Sequence, residues 1–228
     1  MPIFFIWYNL FIITGMLVSI PCFFLDIKDK GIHRIVFSIL LLASCLETFA
    51  VYSTSLGIQN AFHYNIFYIY LETFIILYFF HTLFSQEKRR VIILYAGIFL
   101  FLWGIINSLY FQSIYTFQTY SYSLAGIMII GCSIYFFYGI FFKYWYKDLN
   151  LLSVPFFWIV TVILFFYSGS FLFFSTQTMW LELDLSLYLS LSMINKVLAI
   201  TMYLVMGIAF YAPFVFKDKK NPLTQQLK

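Results

Sequence analysis

Charge is scarce in this sequence. Only 10% of its 228 residues are Asp, Glu, Lys or Arg, against about a quarter in an ordinary soluble domain, while 63% are hydrophobic. A soluble globular domain is therefore excluded, and a polytopic membrane protein is indicated. Cysteine is sparse as well: Cys22, Cys45 and Cys132 lie far apart, within or at the ends of apolar runs. They form neither a CxxC pair nor a disulfide framework and read as buried packing thiols. There is no glycine-rich phosphate loop and no zinc-finger spacing. The 24% aromatic content is what AT-rich codon usage produces and defines no aromatic box. The net charge of +4 makes no case for nucleic acid, because the basic residues border apolar runs, where membrane topology accounts for them. Lys and Arg are also missing ahead of the first apolar stretch, "MPIFFIWYNLFIITGMLVSIPCFF", which argues for a permanent span over a cleaved signal.

What is present is a series of apolar runs. At about 20 residues per span, they predict an all-α bundle of seven transmembrane helices near 3–24, 35–57, 62–84, 91–110, 120–142, 153–176 and 187–215. These form one membrane domain over 1–216, with a short basic tail over 217–228 and no appended module. Lys28, Lys30 and Arg34 follow the first run, Lys88, Arg89 and Arg90 the third, Lys143 and Lys147 the fifth, and Lys217, Lys219, Lys220 and Lys228 the last. All fall on one side, whereas the opposite connections hold only Glu182 and Asp184, so the positive-inside rule predicts an outside N-terminus and a cytoplasmic C-terminus. Pro21, Pro155 and Pro213 sit near span ends, and no span carries a central proline of the kind that marks broken transporter helices. Gly97 and Gly104 share a helix face and predict a close neighbour. Trp7, Trp180, Trp145 and Trp158 suit interfacial anchoring.

Three formal charges fall inside the spans: Glu47, Glu72 and Lys196. Each costs about 2.5 to 3.5 kcal/mol at a helix centre and is expected to face the bundle interior. The tetrapeptide "LETF" occurs twice, at 46–49 and 71–74. Counting at 1.5 Å per residue puts both glutamates roughly 18 to 20 Å above the cytoplasmic boundary, on helices joined by a short hairpin. Ser44, Glu47, Val51 and Thr54 form one stripe, and Asn65, Tyr68 and Glu72 another. Asn107, Ser192, Asn195, Lys196 and Tyr203 add polar groups, most of them in the outer half. Lys196, roughly 30 Å above the cytoplasmic side, has two readings: snorkelling to the outer surface or turning inward to a glutamate. The candidate ligand or proton site is thus Glu47, Glu72, Lys196, Asn195, Asn65, Tyr68 and Asn107. The same glutamates also have a purely structural reading, as hydrogen-bonded links between helices.

Signals for catalysis and cofactors are missing. His33 and His63 belong to opposite connections, and His81 lies on the helical face opposite Glu72. No HExxH or Cys/His cluster suggests a metal, and no axial histidine pair suggests haem. "FYSGSFLFF" around Ser168, Gly169 and Ser170 lacks the nucleophile-elbow spacing and reads as packing. No catalytic residue, metal or cofactor is expected.

"FHYNIFYIYLETFIILYFF" and "SMINKVLAITMYLVMGIAFY", through Asn65, Glu72, Asn195 and Tyr203, resemble small seven-helix inner-membrane proteins of the Bacteroidota. The resemblance implies a bacterial inner membrane and no particular activity. The expected function is non-enzymatic binding or movement of a small polar ligand or proton through an outward-facing pocket. An accessory subunit of a larger membrane complex, with partner spans on the aromatic outer faces, is the alternative; a lipid-active enzyme is the third.

Overall fold

The structure is a computed structural model. It describes residues 3–27, 29–85, 87–88, 90–147, 149–183 and 185–216, with side chains from Trp7 onward except those of 177–183. Lys28, Arg89, Trp180, Glu182, Asp184 and the tail 217–228 fall outside the described residues and side chains.

Long apolar runs with few breakers form long helices, and no strand occurs among the described residues. α1 spans Ile3–Ser19 and tightens into a 3₁₀ turn at Ile20–Phe23, where Pro21 stands at the first positions. α2 covers Lys30–Ser55, α3 Ala61–Leu83, α4 Arg90–Tyr110, α5 Thr119–Phe142, α6 Pro155–Leu183 and α7 Leu185–Val215. The last six contain stretches long and apolar enough to cross a membrane, and α1 is the shorter apolar helix. α2 starts about a turn earlier than the apolar pattern predicts, because the helix runs on through Gly31, His33 and Arg34. α6 likewise outruns its predicted end.

α1 packs against both α2 and α7. The ring closes through α2–α3, α3–α5, α5–α6 and α6–α7, with α4 outside it against α3 and α5. The closure depends on two glycines that the apolar pattern does not single out. A Cβ on Gly207 would stand 2.2 Å from the carbonyl oxygen of Gly15, and one on Gly15 would stand 2.6 Å from that of Tyr203. Such backbone contact is open only to the smallest residue. Gly97 and Gly104 instead face aromatic rings: a Cβ on Gly104 would meet Tyr70 at 2.6 Å, while one on Gly97 would lie 3.9 Å from Phe74.

The half of the ring toward the α1–α2 connection is filled by Ile39, Leu40, Ile76, Phe79, Phe80, Phe136, Ile159, Val160, Met202 and Met206, all fully buried. At its margin His33 is also buried, with its Nε2 3.0 Å from the Ser19 hydroxyl, so it is an interhelical link rather than a loop histidine. Trp145 does not reach outward either. Left-handed backbone at Tyr144 and Tyr146 (φ 56° and 62°) turns it back over Gly139. Among the cysteines only Cys22 is buried. Cys45 is exposed on the outer face of α2, contrary to a uniform packing role.

Candidate functional site

The opposite end of the ring is polar, and the α2–α3 hairpin sets its geometry. α2 ends in a Schellman motif: Gly57 takes φ +72°, the Ile58 N–H donates to the Ser53 carbonyl, and the Gly57 N–H donates to Thr54. Asn60 locks the turn by donating to the Ala50 carbonyl (3.1 Å) and the Thr54 hydroxyl (3.0 Å) and by accepting from Ser53. α3 then begins with one α-turn and runs as a π-helix over Tyr64–Glu72. Such i→i+5 stretches are rare and recur at functional sites. Its steps of four keep Tyr64, Tyr68 and Glu72 on the inner side.

Here a cavity of about 280 Å³ lies between the helices. Tyr8 of α1, Glu47 of α2, Tyr64 and Tyr68 of α3, and Ser192, Asn195, Lys196 and Tyr203 of α7 supply its polar lining. Phe117, three α6 phenylalanines, and Tyr188 and Ala199 of α7 complete the wall. Glu47 accepts from Tyr64 at 3.0 Å and, more loosely, from Tyr8 at 3.4 Å. Asn195 is oriented by Ser170, whose hydroxyl donates to its Oδ1 at 2.5 Å. Lys196 and Glu47 border the same cavity.

Glu72 lies outside this lining. It is fully buried beneath it, accepting from the Tyr203 hydroxyl at 2.8 Å, and its second oxygen, Oε2, has no hydrogen-bond partner among the described residues. Tyr203 is thus shared: its ring faces the cavity and its hydroxyl holds the buried acid. The two glutamates are each held by their own tyrosines, and no hydrogen bond joins them among the described residues.

Asn65 and Asn107 belong elsewhere. Asn65 Nδ2 donates to the carbonyls of Ile114 and Thr116, both at 2.7 Å, while its Oδ1 accepts from the Gln118 N–H at 3.1 Å. Asn107 donates to Ser121 at 2.9 Å. Gln118 ties in Ser108 (2.9 Å), the Gln112 carbonyl (3.1 Å) and the Tyr70 hydroxyl (2.5 Å). These groups pin the α4–α5 connection over the end of α3.

On α2 the buried residues at this end are Ala43, Ser44, Leu46, Ala50 and Ser53. Of the expected stripe Ser44 is buried, Glu47 and Val51 sit at its edge, and Thr54 is exposed. Tyr8, Tyr64 and Ser170 are site residues that spacing alone does not mark. A tyrosine one helical face away from an intramembrane acid is the only hint, and tyrosine is too common here to be selective. Among the described residues no group of three His, Cys, Asp or Glu side chains comes together to hold a metal. The chain matches no family model, no curated protein and no solved structure.

Proposed function

We propose that the chain is a seven-helix protein of a bacterial inner membrane, N-terminus outside and C-terminus cytoplasmic, that binds or moves a small polar ligand or proton through an outward-facing pocket. The orientation rests on the one-sided distribution of Lys and Arg. The observation that carries the function is the cavity itself, which places an acid and a lysine from different helices around unfilled space. Binding is the better supported part, because the fully buried apolar residues from Ile76 to Met206 separate the cavity from the other end of the ring.

The test is purification of the full chain in mild detergent, followed by mass spectrometry of what it releases on denaturation. A small molecule that accompanies the wild type and is lost in an equally well folded Glu47→Gln variant is the expected result. A polypeptide partner with no small molecule, unaffected by Glu47→Gln, would replace this reading with that of an accessory subunit.

A further inference from the structure

α4 stands outside the ring, and its packing against α5 is incomplete near the α3–α4 connection. An open groove of about 330 Å³ runs there past Ile92, Ile93 and Ala96 of α4 and Met128, Gly131 and Tyr135 of α5. From Met128 to Tyr135 it extends about 10 Å, a large part of the roughly 15 Å of hydrocarbon in one leaflet. α5 keeps it open with a missing side chain. Three glycines would give an added Cβ no neighbour within 4 Å: Gly31 and Gly57 at the ends of α2, and Gly131 in the middle of α5. No packing contact accounts for a poor helix former at 131, and the space it leaves is the groove.

One end of the groove is polar. The Tyr135 hydroxyl donates to Glu87 Oε2 at 3.1 Å, and the Lys143 ammonium, 2.7 Å from that oxygen, donates to Tyr135 at 2.9 Å. Arg90 opens α4 two residues before the groove begins, with its backbone N–H on the Glu87 carbonyl at 3.1 Å. It gives one of its five guanidinium donors to the Ser85 carbonyl at 3.0 Å. Lys88, between Glu87 and Arg90 in the same connection, is exposed. Glu87 offsets Lys143, and Lys88 and Arg90 make this end net positive.

We infer that the groove binds an anionic phospholipid of the leaflet on the basic side, with one acyl chain between α4 and α5 and the phosphate at Lys88 and Arg90. This rests on the membrane reading above and not on the cavity beside Glu47. An apolar channel with a basic end matches a lipid with a hydrocarbon chain and a negative head, and basic pockets between spans hold such headgroups. A zwitterionic phospholipid could fill the channel but brings no net charge to its end. A second copy of the chain, inserted with the same orientation, would bring the same positive charge and be repelled.

The experiment is native mass spectrometry of the full chain, purified in mild detergent, stripped of lipid and titrated with dioleoyl phosphatidylglycerol or dioleoyl phosphatidylcholine. The first phosphatidylglycerol is expected to bind at least about tenfold more tightly than phosphatidylcholine, and Lys88→Gln combined with Arg90→Gln to erase that preference. Gly131→Leu and a second filling variant, Ala96→Leu, should weaken the first phosphatidylglycerol at least about tenfold. In Gly131→Leu the unfolding midpoint without lipid should not fall, since the new side chain enters open space. Equal affinity for the two lipids in the wild type, or unchanged binding in either folded filling variant, would overturn the inference and leave the membrane reading intact. A dimer abolished by the filling variants, in place of bound lipid, would assign the groove to a second copy and overturn it as well. Release of the chain from membranes by alkaline carbonate would remove the membrane reading and the inference together.

Discussion

Tyr64 and Asn65 are neighbours on α3, yet they serve polar clusters built on opposite plans. Asn65 belongs to a knot of amides and hydroxyls with no formal charge, where it makes three bonds to backbone atoms that clamp one connection. Tyr64 belongs to a charged lining around open space, where its carboxylate partner is held by one ordinary bond and one long one. The knot saturates the Asn65 amide with partners from one connection, whereas the lining borders a cavity of about 280 Å³. In an interior where unpaired polar groups are costly, this difference separates residues that maintain the fold from those that, on the proposed reading, serve a ligand.

The comparison can be broken most forcefully at Asn65. Asn65→Leu leaves two carbonyls and an N–H without partners, and a loss of about 3 kcal/mol in stability is expected, measured by unfolding in detergent. A loss below 1 kcal/mol would show that the knot is not structural. Tyr203→Phe removes the donor to buried Glu72, and about 1 to 2 kcal/mol should go. Ligand affinity should fall less than in Glu47→Gln, since the ring that lines the cavity is kept. Glu47→Gln sharpens the contrast: stability should change by less than about 1 kcal/mol, while binding of the co-purifying molecule drops at least tenfold by calorimetry. Smallest is Thr48→Val, which removes the exposed Asn9–Thr48 contacts at 3.4 and 3.5 Å. Less than about 0.5 kcal/mol is expected, and a larger value would mean that peripheral polar contacts carry weight here.

Much of the fold was legible because lipid imposes long apolar helices, and their extents differ from the apolar pattern mainly where α2 and α6 run on past it. Helix rotation was less legible. Glu47 sits at the edge of a buried face that runs through Ala43, Leu46, Ala50 and Ser53. The candidate site was read in part. Glu47, Tyr68, Asn195 and Lys196 line one cavity, whereas Asn65 and Asn107 were grouped with them only because depth along a helix cannot distinguish a bond to a loop carbonyl from a face turned inward. Gly15 and Gly207 escaped notice because they lie far apart in sequence, and no periodicity within either helix signals that the two backbones touch.

The central claim, that the charged lining opens to the outer side, is tested most directly by chemical access. A cysteine placed at Ser192, in a Cys45→Ser background, would be offered a membrane-impermeant thiol reagent from each side of intact and inverted vesicles. The account predicts modification from the outer side, slowed by the ligand. Modification from the cytoplasmic side alone, or none from either side in a folded protein, would contradict it.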